Sequence, residues 1–199
     1  MIQSFAKNSK PGRIHRLLAV ILSSLFLFSS IPAGAAPLSD QPWTSNGSTG
    51  TVDETSYDLI TYLNGSVYLS NNGGPYSEAT IRYNITFTPG LTQLNTTIFK
   101  ARILDNGPQA RVILYLKSYE FETGIVRTLN TIDSDQYLPS NNFYLVKVNG
   151  LPNFLGEGGW SVREFKKYSY YIEAHLIRTG WGGNPALGNL MVDSEAIFN

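Results

Sequence analysis

Cysteine is absent from this 199-residue chain. That excludes disulfides, thiolate nucleophiles and every zinc site built on sulfur. Histidine is nearly absent too: only His15 and His175 occur, so a centre built on several histidines is also excluded. No excess of either charge exists, with 15 basic against 15 acidic residues. With no basic excess, nucleic acid, whose binding relies on clustered Lys and Arg at phosphates, is not an expected partner. No apolar run reaches the roughly 20 residues that span a bilayer as a helix. Beyond residue 35, no segment repeats apolar residues at the helical period.

The N-terminus has three parts in order. Lys7, Lys10, Arg13 and Arg16 stand in a stretch without acids, residues 17–28 are apolar apart from Ser23 and Ser24, and Ala33-Gly34-Ala35 follows Pro32. A positive region, a short apolar region and a small-residue A-x-A site make a secretory signal. Residues 1–35 are therefore expected to be a signal peptide cleaved after Ala35. The absence of cysteine removes a lipid anchor, and the separation of Arg13 from Arg16 removes a twin-arginine signal. The mature chain of 164 residues would hold 11 basic against 15 acidic residues and one histidine, His175. It is expected to be secreted or otherwise extracytoplasmic, with no stable membrane span after cleavage. Its size suits one domain able to bury a core without covalent staples.

Residues 36–56 are rich in Pro, Ser, Thr, Gly and Asp, with Trp43 their only large apolar side chain. They are expected to form a flexible N-terminal arm ahead of a domain over 57–199. Within that domain, short apolar runs alternate with turn residues. Over 80–88, Ile81, Tyr83, Ile85 and Phe87 alternate with polar residues, the period of a half-buried strand. Residues 97–104 set Phe99, Ala101 and Ile103 against Lys100 and Arg102. The turn Asp105-Asn106-Gly107-Pro108 then predicts a hairpin with 110–119. Runs at 125–132, 143–148, 168–178 and 187–192 read as further strands, 57–63 and 66–69 as an opening hairpin around Asn64-Gly65, and 161–167 as a short helical turn.

About eight strands with closely spaced turns predict an all-β fold, an antiparallel β-sandwich of jelly-roll or Ig-like kind. A membrane β-barrel is the competing architecture, but many runs are shorter than its strands of about ten residues. In strand number and composition the chain resembles secreted sandwich modules such as carbohydrate-binding or fibronectin-like domains. No residue motif carries that likeness, and no site residue follows from it.

Catalytic sets are scarce. His175 lies mid-strand, and no G-x-S-x-G elbow supplies a nucleophile. Glu120 with Glu122, and Asp133 with Asp135, are carboxylate pairs at i and i+2. Such neighbours lie side by side and do not straddle a glycosidic bond. Asp133 and Asp135 are candidate Ca²⁺ ligands; no other cofactor is expected. Four N-x-[ST] sequences, at Asn46, Asn64, Asn84 and Asn95, are taken as chance in a chain rich in these residues. Two glycine-rich stretches each carry a tryptophan: Trp160 beside Glu157, and Trp181 beside Asn184. Exposed aromatics stack on the apolar face of a sugar ring while neighbouring amides and carboxylates bind its hydroxyls. The expected function is thus an exported, non-catalytic binding or surface-interaction module. Trp160, Trp181, Glu157 and Asn184 are its candidate ligand-binding residues, and an extracellular glycan or surface protein its partner. The alternatives are a self-assembling envelope protein, whose N-terminal arm would pair with an exposed strand edge, and a secreted hydrolase using Glu120, Glu122, Asp133 or Glu173.

Overall fold

A computed structural model of the chain describes residues 41–88, 91, 96–149 and 164–195. The expected signal peptide, Glu157, Trp160 and Asn95 lie outside the described residues. Eleven strands form two sheets among them, and every pairing is antiparallel. The strands are β1 (Trp43–Asn46), β2 (Thr51–Val52), β3 (Ile60–Leu63), β4 (Ser66–Leu69), β5 (Ser77–Ile85), β6 (Thr96–Asp105), β7 (Ala110–Glu120), β8 (Val126–Asp133), β9 (Ser140–Asn149), β10 (Tyr168–Arg178) and β11 (Ala186–Glu195). The six-stranded sheet runs β3-β4-β11-β6-β9 with β1 also on β11, and the five-stranded sheet runs β2-β5-β10-β7-β8.

The orders 4-11-6-9 and 5-10-7-8 are those of a jelly roll, in which the chain crosses from sheet to sheet at nearly every turn. Each sheet needs only one apolar face to close the core. Ile81, Tyr83 and Ile85 of β5, Val112, Leu114 and Leu116 of β7, and Ile172, Ala174 and Leu176 of β10 meet Phe99, Ala101 and Ile103 of β6 and Leu190 and Val192 of β11. The outward faces of both sheets carry polar and charged residues, as in a sandwich and not a lipid-facing barrel.

Several elements follow their local chemistry. The β3–β4 hairpin turns on Asn64 (φ 51°) and Gly65 (φ 80°), the two positive angles of a type I′ turn. The short helix α1 (Glu164–Lys167) stands where a helical turn was expected. The expected hairpin of 97–104 with 110–119 does not form. β6 lies in one sheet between β11 and β9, and β7 in the other between β10 and β8. The turn at 106–109 is an arch between sheets. Its residues dictate where the chain reverses, while the apolar faces of β6 and β7 meet across the core. Phe87, expected on the inward face, lies past the end of β5 and packs edge-on against Phe165 at 5.4 Å.

The described part of the expected arm, 41–56, is built into both sheets. β1 pairs with β11 and β2 with β5. Trp43 is 6% exposed in the core, and the Tyr83 hydroxyl donates to the Gly47 carbonyl at 2.6 Å. A Cβ on Gly47 would lie 2.0 Å from the Leu187 carbonyl oxygen, so only glycine allows this approach. Buried Ser56 accepts from the Thr80 N–H at 3.1 Å, satisfying an edge donor of β5 that no strand covers. One large side chain and two close backbone contacts dock a segment whose composition reads as loose.

Candidate functional site

Trp181 sits in the 179–185 connection between β10 and β11. Its indole is 69% exposed, yet the loop beneath it is held from several directions. Arg178, the last residue of β10, is 2% exposed and has no carboxylate partner among the described residues. Its guanidinium donates instead to three carbonyls: Nε to Gly183 at 2.6 Å, Nη1 to Ser70 at 2.9 Å and Nη2 to Leu69 at 2.9 Å. Burial pulls its pKa down, but an arginine keeps its charge in a protein. Charge-assisted bonds of this kind are among the stronger ones available. They tie the loop to the β4 end of the opposite sheet.

The arch at 106–109 holds the other side. Asn106 Nδ2 donates to the Gly182 carbonyl at 2.7 Å, and its Oδ1 accepts from the Asn184 N–H at 2.7 Å. The Thr179 N–H donates to the Gln109 carbonyl at 3.0 Å. Gly182 adopts φ 97°, and a Cβ on Gly183 would lie 2.0 Å from the Gln109 carbonyl oxygen. The glycines after Trp181 are thus required by a left-handed turn and a close backbone contact. The side chain of Asn184 is exposed and makes no hydrogen bond among the described residues. An exposed aromatic ring beside the unpaired Asn184 amide is chemically suited to a ring with an apolar face and hydroxyl edges.

Of the four expected ligand-binding residues, Trp181 and Asn184 share this loop. Arg178, Asn106 and Gln109 were missed as loop supports. The signal available was a lone arginine closing the apolar strand 168–178.

Asp133 and Asp135 face Arg111. Its Nε and Nη2 bind Asp133 at 2.9 and 2.5 Å, and Nε lies 3.0 Å from Asp135. That hydrogen bonding holds the Asp133 carboxyl below its ordinary pKa, against its partial burial. A Ca²⁺ ion there would have to displace the guanidinium.

Glu120 and Glu173, the other carboxylates expected of a hydrolase, sit apart from one another. Glu173, 9% exposed on the outward face of β10, accepts from Lys117 at 2.5 Å, Arg82 at 3.0 Å and His175 at 3.3 Å. Arg82 also pairs with Asp53, and His175 Nδ1 lies 2.6 Å from Glu78. Burial opposes ionisation of Glu173, but the bonds from Lys117, His175 and Arg82 outweigh it and hold its pKa at about 2. Glu120 is likewise held low by hydrogen bonds from Lys167 and Thr123. Glu120 lies opposite Tyr168 and Glu173 opposite Tyr115, five residues apart along β10, while Glu122 is in the exposed turn after β7. Acid–base hydrolysis needs one carboxyl with a raised pKa near a second that stays ionised. Here Glu120, Asp133 and Glu173 are each held ionised by a cation.

No family model and no curated protein matches the chain. Among solved structures, it is similar to the xylan-binding module CBM15, with 10% identity and a TM-score of 0.47 over 78% of this chain and 97% of that one. It is similar at 11% and 0.46 to the CBM22-1–GH10 xylanase 10B of Clostridium thermocellum complexed with xylohexaose, over 81% of this chain and 29% of that one. It is also similar, at 11% and 0.39, to a Stig cyclase, Fisc, from Fischerella sp. TAU, over 84% and 82%. Function has to be argued from this protein's own side chains.

Proposed function

We propose that the protein is an exported, non-catalytic module that binds an extracellular glycan through Trp181. The observation that carries this reading is the contrast between the exposed indole and the fixed loop under it. A large apolar ring left in water on a backbone pinned by Arg178 and Asn106 is pre-organised for a ligand. The pairing of Glu120, Asp133 and Glu173 with cations supports the non-catalytic part. The export part rests on the basic, apolar and A-x-A order of residues 7–35.

Intrinsic tryptophan fluorescence, titrated with a panel of soluble polysaccharides, tests it. A saturable shift with at least one glycan is expected. Trp181→Ala should weaken that binding about tenfold or more while leaving the melting temperature nearly unchanged, because the side chain is exposed. Binding that survives Trp181→Ala unchanged, or no response to any glycan, overturns the reading.

A further inference from the structure

Among the described residues, four connections cross between the sheets at the end of the sandwich that carries Trp181. They are 70–76 from β4 to β5, 179–185 from β10 to β11, 106–109 from β6 to β7 and 134–139 from β8 to β9. Register fixes their order. In one sheet Tyr68 lies opposite Ala186, Ala186 opposite Leu104, and Asp105 opposite Ser140. In the other, Ser77 lies opposite Arg178, Arg178 opposite Ala110, and Ile113 opposite Asp133. The four arches therefore stand side by side, with the Trp181 arch second in the row. Neighbouring strands are about 4.8 Å apart, so the row is about 14 Å across.

Hydrogen bonds fasten each arch to the next. Arg178 ties 179–185 to the carbonyls of Leu69 and Ser70, and the Leu69 N–H donates to the Pro185 carbonyl at 3.1 Å. Asn106 binds Gly182 and Asn184. The Val112 N–H, just past the third arch, donates to Ser134 Oγ in the fourth at 2.8 Å. Two arches are also closed on themselves. Ser70 Oγ accepts from the Asn72 N–H at 3.2 Å, and the Tyr137 N–H donates to the Ser134 carbonyl at 2.9 Å.

The side chains on this frame are apolar or neutral. Tyr76 is 79% exposed and Leu138 89%, on arches to either side of Trp181. Large apolar groups gathered in water on one surface mark a binding site. Asn71, Asn72, Gln109, Gln136 and Asn184 are exposed, and their amide groups make no hydrogen bond among the described residues. Asp135 is the one charged residue in the four arches, and Arg111 pairs with it. Glu78, at the start of β5, pairs with His175. At the margin, the 3-10 turn Glu54–Leu59 packs against 71–73 and exposes Glu54 and Asp58. Amides both donate to and accept from hydroxyls, and aromatic rings cover the apolar face of a sugar. An anion would find no free cation on the arches and two carboxylates at their edge.

We propose that the four arches form one extended site for a neutral oligosaccharide, with Trp181 stacking on a central sugar ring and Tyr76 and Leu138 contacting the units to either side. The inference rests on the glycan-binding reading of Trp181. It adds the charge class and minimum length of the glycan, and two further residues that hold it.

Calorimetric titration of the purified protein with hexamers of glucose, xylose and mannose, the matching disaccharides and a galacturonate hexamer tests it. At least one neutral hexamer is expected to bind about tenfold or more tightly than its own disaccharide and than the galacturonate hexamer. Tyr76→Ala and Leu138→Ala should each weaken that hexamer about threefold or more and the disaccharide by less, while Trp181→Ala weakens both. Tyr76 and Leu138 are exposed, so both variants should melt like the parent. A hexamer bound no more tightly than its disaccharide, equal affinity for the galacturonate hexamer, or hexamer affinity unchanged in either variant overturns the inference. If a neutral saccharide binds through Trp181 and neither its length nor Tyr76 and Leu138 matter, this inference fails and the proposed function stands. If no saccharide binds, both fail.

Discussion

The two outward faces of the sandwich use charge in opposite ways. On the five-stranded face, cations and carboxylates answer one another. Lys117, Arg82 and His175 converge on Glu173, Arg82 continues to Asp53, and Arg111 holds Asp133 and Asp135. On the six-stranded face, Lys100 pairs with Asp193, while Arg102 and Lys147 are exposed cations with no carboxylate partner among the described residues. A closed network holds strands together and leaves little for a ligand to neutralise. Exposed cations outside such a network contribute little to stability. Both faces belong to one jelly roll, so architecture alone would not assign the binding role to either.

The largest expected effect is on the closed face. Glu173→Gln leaves Lys117 and Arg82 partly enclosed without their shared carboxylate, and should destabilise the protein by about 2–3 kcal/mol in urea unfolding. Arg102→Met on the other face should change stability by about 0.5 kcal/mol or less. Equal costs would erase the distinction between the faces.

Acid should act through the same carboxylate. Glu173 has a pKa of about 2 in the fold against an ordinary 4.5, so the folded state favours its ionised form. The stabilisation it supplies is complete above about pH 4.5 and is lost as pH falls from there towards 2. Glu120 and Asp133, also held low, contribute in the same direction. Unfolding free energies at pH 6, 4 and 3 should fall steeply for the parent and less steeply for Glu173→Gln. An acid limb of unchanged slope in the variant would show that Glu173 is not the group that titrates.

Much of this fold is legible in the chain, and the failures share a cause. The run 168–178 is β10 to the residue, and Asn64-Gly65 turns the hairpin as its chemistry requires. Both are local: a period of two, or two residues that accept positive φ. The turn at 105–108 is local too, but whether β7 returns beside β6 or crosses to the other sheet depends on which strands are already neighbours, and no nearby residue encodes that. The docking of 43–52 depends on Trp43 and Gly47 meeting β11, more than a hundred residues away. The site divides in the same way. Trp181 is readable as an exposed ring among glycines, whereas its supports come from Leu69, Ser70 and Asn106. The Glu173 network joins β5, β7 and β10, and Lys100 faces Lys147 across β6 and β9. Register across strands, not spacing along one, creates both.

The smallest expected effect is also the sharpest, because its sign differs between the faces. Arg111→Gln removes a cation that binds two carboxylates and leaves Asp133 and Asp135 to repel each other, so it should cost up to about 1 kcal/mol. Lys147→Gln removes a cation directly opposite Lys100, and like charges so placed are destabilising. Its removal should stabilise the protein by about 0.3 kcal/mol at low salt. Both groups are substantially exposed, so both effects should shrink towards zero as added salt shortens the Debye length to about 3 Å at 1 M. Urea unfolding of the parent and the two variants, at low salt and at 1 M, measures the difference. Opposite signs that converge with salt are expected of one cation held in a network and one that faces a like charge. If Lys147→Gln destabilises at low salt, the like-charge contact with Lys100 is not what governs Lys147.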